Sequence, residues 1–169
     1  MIQAISSRGL FDEGDWGVFA NQLLGAVSFM HSLGVAHRDL KPDNIMLKEP
    51  WSPKPGSIPT LKIIDFGSAT FCLSNERMRG HVGTKFFSAP ECLRRKPYTK
   101  KCDVWSVGVL LMVLLKGFPS GLEVEEQWRS LQRGEEPSFP SSIPKHFIKL
   151  IKAFICFFKK IIDVCISKN

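Results

Sequence analysis

The sequence predicts a mainly α-helical fold that carries one small β-hairpin. Residues 15–33 place apolar side chains at steps of three and four, which is the period of an amphipathic helix. Residues 104–115 are almost wholly apolar and predict a second, buried helix. Two short stretches rich in branched side chains, IML at 45–47 and LKII at 61–64, predict the strands of the hairpin.

These elements follow one another in a simple order. The first helix is expected to end at Gly34, a common stop signal. A charged stretch, HRDLKPDN at 37–44, then leads into the first strand. The connection between the strands, residues 48–60, holds four prolines and one glycine and predicts a solvated loop.

The second half of the chain begins with a long irregular segment. Residues 68–101 show no sustained period, and such segments in compact domains are often functional. The apolar run at 104–115, about 12 residues long, is too short to span a bilayer. Residues 123–133 predict an exposed amphipathic helix, and a proline-broken linker at 137–144 follows it.

Composition limits the classes of protein to consider. The chain has 169 residues and 44% hydrophobic content, enough for one domain or for a piece of a larger protein. Of the formal charge of +7, residues 145–169 contribute six lysines and one aspartate, or +5, so the main body does not support nucleic-acid binding. Five cysteines without a C-x-x-C pair or zinc spacing favour a reduced intracellular compartment, namely the cytoplasm.

The charged stretch at 37–44 is the first of five motifs that follow one another along the chain. HRDLKPDN at 37–44 is followed by DFG at 65–67, VGT at 82–84, APE at 89–91 and KCDVWSVGVLL at 101–111. In this order the sequence resembles the large, C-terminal lobe of the eukaryotic protein kinases, and it looks most like their calcium- and calmodulin-dependent branch. DFG alone would mean little, whereas the ordered set is specific.

The resemblance implies transfer of the terminal phosphate of ATP with the help of magnesium. Asp39 would accept or orient the proton of the attacking hydroxyl, and Lys41 would place a positive charge against the transferring phosphate. Asn44 and Asp65 would hold magnesium, because hard oxygen donors suit that ion. Met46 would lie under the adenine and complete the nucleotide-binding set with them.

The same resemblance implies a protein substrate with a serine or threonine acceptor. Lys41 in HRDLKPDN is typical of that class, and Thr84 would place a hydroxyl close to the catalytic aspartate. Arg38 would pair with a phosphate on the activation segment, although no hydroxyl within residues 65–91 stands out as the modified one. Asp103 would anchor the catalytic turn through its backbone.

Simpler interpretations exist for these residues. A lone Asp39 would most simply be a helix cap, and Asp65 with Gly67 a plain turn. Lys41 would be a solvated surface charge, and His37 is expected to pack in the core and not to act as an acid or base. The ordered motifs favour the catalytic interpretation for Asp39, Lys41 and Asp65.

The resemblance covers about residues 10–140, which correspond to the large lobe only. No G-x-G-x-x-G precedes the first helix, and the 36 residues before His37 are too few for a five-stranded small lobe. We therefore expect a partial kinase domain over residues 1–144 without the N-terminal lobe. The competing hypothesis is a catalytically inactive lobe that acts as a binding or regulatory module. Glu91 is expected to lack a salt-bridge partner, since no closing arginine follows Pro144.

Residues 145–169 form a divergent tail that is both basic and apolar, with a helical period. Such a helix could bind a membrane surface or a calmodulin-like groove. It could equally pack in the core of the lobe, or belong to no native fold at all. The sequence leaves these alternatives open.

Overall fold

The computed structural model describes residues 13–49, 60–73, 76–116 and 143–166, with isolated positions between 126 and 141. Most of the predicted 48–60 loop lies outside these ranges. The described elements are α1 (Glu13–Ser32), β1 (Val35–Ala36), β2 (Ile45–Leu47), β3 (Leu61–Ile63), β4 (Thr70–Phe71), α2 (Pro90–Leu93), α3 (Cys102–Lys116) and α4 (Lys145–Ile166).

The predicted hairpin is present as the antiparallel pair β2 and β3. Ile45 lies opposite Ile63, and Leu47 opposite Leu61. The side chain of Gln22 on α1 accepts a hydrogen bond from the backbone N–H of Leu61 at 2.8 Å. The hairpin is thereby fixed to the first helix.

A second antiparallel pair, β1 with β4, was not predicted. Val35 lies opposite Phe71 and Ala36 opposite Thr70. Each strand has only two residues, which is too short to show the alternation that marks a strand in a sequence. This pair joins the end of α1 to the start of the irregular segment.

The core lies between α1 and α3, as the two helical patterns predicted. Both helices run within two residues of their predicted bounds. Along α1, the buried side chains recur at the helical period, and along α3 burial is almost continuous. The most deeply buried members are Leu23, Val107, Leu110, Leu111 and Met112.

The first half of the predicted tail packs in this core. Phe147, Ile151 and Ile155 of α4 are buried, and the ring of Phe147 lies 4.1 Å from that of Trp16. A Cβ atom on Gly108 of α3 would stand 2.8 Å from the Cβ of Phe154, so the glycine allows the two helices to approach closely. Over residues 147–155, the core-packing alternative is therefore the correct one.

Two further findings concern the helices. Within the predicted helix 123–133, residues 126 and 129–131 are helical, residue 133 forms a turn, and the other positions lie outside the described residues. Across the portion of the chain that the structure describes, no helix combines the length and apolar character needed to cross a membrane.

Candidate active site

The charged turn at 37–44 is held by one buried carboxylate. Asp103 is fully buried at the start of α3. It accepts hydrogen bonds from the backbone N–H of His37 at 2.9 Å and of Arg38 at 2.8 Å. Arg38 has a positive φ of 67°, which is unfavourable for a side chain of this kind. The two bonds to Asp103 hold the turn in this conformation, as the resemblance implied.

Two contacts around Asp103 were not found from the sequence. Nε2 of His31, in the last turn of α1, lies 2.9 Å from the Asp103 carboxylate. The Lys100 ammonium donates to the carbonyl of His31 at 2.6 Å, where the helix dipole favours a positive charge. Together they fix the end of α1 and the start of α3 to the same turn.

The structure brings four predicted site residues together around one carboxylate. Thr84 donates to Oδ1 of Asp39 through both its backbone N–H and its hydroxyl, each at 2.9 Å. The Lys41 ammonium donates to Oδ2 of Asp39 and to the Thr84 hydroxyl oxygen, each at 3.0 Å. The Asn44 amide N–H donates to the Asp39 carbonyl at 2.8 Å.

These donors keep the Asp39 carboxylate charged. Partial burial raises the pKa of Asp39, but the hydrogen bonds from Lys41 and Thr84 and the Lys41 charge outweigh it, so the pKa is lowered overall. A carboxylate of this kind holds a proton weakly. It is better suited to orient a hydroxyl than to remove its proton early.

Asp65 lies at the end of β3, beside the same turn. The backbone N–H of Ile64 donates to the Asn44 carbonyl at 3.0 Å, and the His37 ring N–H donates to the Ile64 carbonyl at 3.1 Å. The rings of His37 and Phe66 meet edge to face at 4.9 Å. His37 is thus a buried packing residue, as expected, and it joins the turn to the segment that carries Asp65.

The Asp65 side chain itself is exposed. It has a positive φ of 61°, and its Oδ1 accepts a hydrogen bond from the Gly67 N–H at 3.2 Å. Within the described ranges, no hydrogen bond joins the Asp65 carboxylate to Asp39 or Asn44. The two segments are joined instead by the backbone bond from Ile64 to Asn44 and by the contacts of the His37 ring.

The donor set fits a magnesium ion that is shared with phosphates. Asn44 directs its amide N–H groups at Asp39, so its amide oxygen takes no part in those bonds. Asp65 adds an exposed carboxylate. No cluster of three or more His, Cys, Asp or Glu in the described part of the chain could hold a metal. Mg²⁺ is commonly bound by one or two protein oxygens together with phosphates and water, so this small set is sufficient.

Met46 occupies the middle of β2 with 37% of its surface exposed, whereas its neighbours Ile45 and Leu47 are buried. Its side chain therefore lies on the opposite face of the strand from theirs. An apolar side chain left open beside the turn is compatible with the predicted contact with adenine.

A close backbone approach at Gly83 completes the site. Gly83 has a φ of 85°, and a Cβ atom there would stand 2.4 Å from the Arg38 carbonyl oxygen and 3.1 Å from Oδ1 of Asp39. Only glycine allows Thr84 to reach Asp39 along this path. This role of the glycine in the VGT motif at 82–84 was not predicted from the sequence.

Gly83→Ala is expected to lower the free energy of unfolding by at least about 2 kcal/mol, because it adds both a strained φ and a backbone clash. Gly80→Ala is the matched control, since Gly80 also has a positive φ, 78°, but nothing lies within 4 Å of its would-be Cβ. Urea denaturation of both variants measures the difference. Equal losses in the two variants would show that the approach of Gly83 to Arg38 is not tight.

Glu91 of α2 carries a buried carboxylate oxygen that lacks a hydrogen bond within the described ranges. Its Oε2 is buried without a hydrogen-bond partner among the described residues, as the missing arginine led us to expect. Burial raises the pKa of Glu91, and its own backbone N–H and the charge of Arg94 offset only part of this effect.

Because the folded-state pKa of Glu91 is raised, the fold loses stability as the pH rises from the ordinary glutamate pKa through the raised one. Glu91→Gln should raise the unfolding free energy at pH 7 by about 1 kcal/mol and flatten this dependence. Glu49→Gln, at an exposed position, is the control. Denaturation curves of the variants and the parent are measured from pH 4 to 8. If the unfolding free energy of Glu91→Gln equals that of the parent at each pH, the prediction is wrong.

The sequence of the chain is similar to one known protein family and to several curated relatives. Residues 1–160 match the protein kinase domain family. Calcium-dependent protein kinase 5 of Plasmodium berghei (strain Anka) is 35% identical over 137 residues, which are 80% of this chain and 23% of that protein. Calcium/calmodulin-dependent protein kinase type 1B of Homo sapiens is 40% identical over 120 residues, 70% of this chain and 33% of that protein.

Calcium-dependent protein kinase 12 of Arabidopsis thaliana is 41% identical over 119 residues, again 70% of this chain and 23% of the relative. The chain thus spans 23% to 33% of the length of these three curated relatives. All three names fall within the calcium- and calmodulin-dependent branch that the sequence favoured.

Proposed function

The chain belongs to the protein kinase family, and on this premise we propose that it transfers the terminal phosphate of ATP to serine or threonine hydroxyls of proteins, using Mg²⁺. The described residues correspond in this proposal to the large lobe of the kinase fold. The observation that carries the proposal is the set of hydrogen bonds from Lys41, Thr84 and Asn44 to Asp39.

Asp39 receives the acceptor hydroxyl. Its charged carboxylate would accept a hydrogen bond from that hydroxyl and aim the oxygen lone pair at the phosphorus. As the new oxygen–phosphorus bond forms, the bond to ADP breaks, ADP leaves, and Asp39 takes the hydroxyl proton. A loose transition state requires little proton removal at the start, so a carboxylate with a lowered pKa is adequate. Orientation of the hydroxyl is then the main contribution of this residue.

Lys41 stabilises charge on the transferring phosphate. Its ammonium is already held between Asp39 and Thr84 by two hydrogen bonds of 3.0 Å. A donor fixed in advance stabilises the developing charge without further reorganisation. The Thr84 hydroxyl keeps both Asp39 and Lys41 in place.

Asn44 and Asp65 would hold the metal through their side-chain oxygens, and Met46 would contact the adenine ring. Bound ATP would supply the phosphate, and the Mg²⁺ bound with it would neutralise part of the negative charge on the phosphate oxygens. The chain's own part is to position these two ligands next to Asp39. The backbone bond from Ile64 to Asn44, 3.0 Å long, supports that placement.

A non-catalytic binding role of the same lobe is the second candidate. A binding module would not need the Asp39, Lys41 and Thr84 arrangement, so we place this function second.

A calmodulin-like or membrane partner for the tail ranks lower still. Amphipathic helices bind such partners through their apolar face. Over the described half of α4, Phe147, Ile151 and Ile155 already occupy the core, while Lys145 and Lys149 are exposed. The apolar face of this half is not available to a partner.

Transfer of labelled phosphate from ATP to a mixed set of serine, threonine and tyrosine peptides tests the proposal. We expect label on serine and threonine with the parent chain and with an Asp43→Ala control, and background with Asp39→Ala and Asp65→Ala. Background from all four chains would overturn the catalytic proposal in favour of the binding module. Label on tyrosine alone would overturn the acceptor class.

A further inference from the structure

The segment that follows the second strand pair is strongly basic. Residues 76–101 contain eight lysines and arginines and two glutamates, a net charge of +6. With +5 on residues 145–169 and +7 in total, the rest of the chain is net negative at −4. The positive charge of the main body is therefore concentrated in one segment.

This basic segment is joined to the catalytic carboxylate. Thr84 binds Asp39 by two hydrogen bonds, and the exposed Lys85 follows it directly in the chain. Successive Cα atoms are about 3.8 Å apart, so the Lys85 backbone lies beside the residue that contacts Asp39. Arg79 is five residues before Thr84, so the Cα atoms of these two residues are at most about 18 Å apart.

The segment is also held in a fixed shape. The Ser88 hydroxyl donates to the Thr84 carbonyl at 2.9 Å, and Nε2 of His81 lies 3.0 Å from the Ser88 oxygen. Because the Ser88 hydrogen is used on Thr84, the His81 ring N–H is the donor of the second bond. Met78 and Tyr98 pair as a β-bridge further along. Side chains on this segment thus have a defined position relative to Asp39.

The basic side chains face solvent. Arg77, Arg79 and Arg95 are exposed, and the described part of the chain shows no salt bridge for these three arginines. Among the described side chains, the exposed carboxylates before and at the start of the segment are Asp43, Glu49, Asp65 and Glu76. Glu76 accepts a hydrogen bond from the Leu73 N–H. Within residues 76–101 the two glutamates leave a net charge of +6.

We propose that the surface formed by residues 76–101 selects protein acceptors whose serine or threonine is flanked by acidic residues. This inference rests on the proposed function and specifies its substrate class. Opposite charges on the two partners strengthen and steer the encounter, while lysine or arginine next to the acceptor would be repelled. An acidic acceptor therefore fits better than the basic peptide that would serve as a general kinase substrate.

Binding of three fluorescent peptides to the full chain tests the proposal without requiring turnover. The peptides carry alanine at the acceptor position and differ only in flanking glutamates, glutamines or lysines. Anisotropy at low salt should show the glutamate peptide binding roughly tenfold more tightly than the glutamine peptide, which corresponds to a few exposed charge pairs. The difference should shrink at high salt.

A double variant, Arg79→Glu with Lys85→Glu, should remove the preference or reverse it. The double variant Lys145→Glu with Lys149→Glu makes the same change of charge on α4 and should leave the preference unchanged. Equal or tighter binding of the lysine peptide, or loss of the preference in the α4 control, would overturn the inference. So would tighter binding of a single-stranded RNA of matched length without discrimination among the peptides.

Serine versions of the peptides separate the two proposals. Transfer of phosphate mainly to lysine-flanked serine would retain the proposed function and refute the acidic preference. Selective binding of the glutamate peptide without any transfer would retain the preference and refute the proposed function.

Discussion

Asp103→Ala is expected to lower the free energy of unfolding by about 4 kcal/mol, because it leaves the buried N–H groups of His37 and Arg38 without acceptors. It also removes the partner of His31. Since a domain of this size is stable by only about 5–15 kcal/mol, such a loss would unfold a marginal protein. Urea denaturation followed by tryptophan fluorescence measures the change.

Two control variants distinguish the loss of the buried Asp103 acceptor from the general effect of removing a carboxylate. Asp43→Ala removes an exposed carboxylate from the same turn and should change the unfolding free energy by less than about 0.5 kcal/mol. Asp103→Asn keeps one acceptor oxygen and should fall between the parent and Asp103→Ala. An Asp103→Ala variant with the parent's urea midpoint would show that another group holds the turn.

Asp39→Asn is expected to reduce the rate of phosphate transfer by about 10²- to 10⁴-fold, the usual effect of losing a positioned proton acceptor. The amide keeps the shape of the side chain but loses the charge that orients the acceptor hydroxyl and pairs with Lys41. The reduction should appear in kcat, with the KM for ATP nearly unchanged. Initial rates over a range of ATP concentrations measure both.

Asp43→Asn is the control for this second variant, since its side chain is exposed and four residues away in the same turn. Denaturation curves of Asp39→Asn should still show a folded protein. A folded Asp39→Asn chain with the parent's kcat would remove Asp39 from the chemistry and leave the Thr84 contacts with a structural role only.

Much of the fold could be predicted from periodicity. The two core helices and the β2–β3 hairpin each contain enough residues to repeat a pattern, and the predicted strand at 45–47 agrees with the structure. The β1–β4 pair has two residues in each strand, so it leaves no such pattern. The packing of α4 depends on the absence of a side chain at Gly108, which periodicity does not detect.

The site was found from ordered motifs and not from geometry. Asp39, Lys41, Asn44 and Thr84 were predicted to act together, and the last three each hydrogen-bond the Asp39 side chain. Contacts that join residues 69 to 72 positions apart, such as those from His31 and its carbonyl, leave no mark in a single sequence.

Gly83 could have been noticed, because a glycine directly before a predicted site residue suggests a close backbone approach. The basic segment at 76–101 was hidden in the net charge, since acidic residues elsewhere in the main body cancel most of it. The sequence does not show how close these charges lie to Asp39. Their position follows from the contact between Thr84 and Asp39 in the structure.

We propose that the segment that follows β3 and the turn at 37–44 form one metal–nucleotide site. Electron paramagnetic resonance of Mn²⁺, titrated into the full chain with ATP, tests it most directly. We expect Asp65→Ala and Asn44→Leu each to weaken Mn²⁺-ATP binding by at least roughly tenfold, comparable to the loss of a metal ligand or its support, whereas Asp43→Ala should leave binding unchanged. Equal Mn²⁺-ATP binding by the parent and both ligand variants would contradict it.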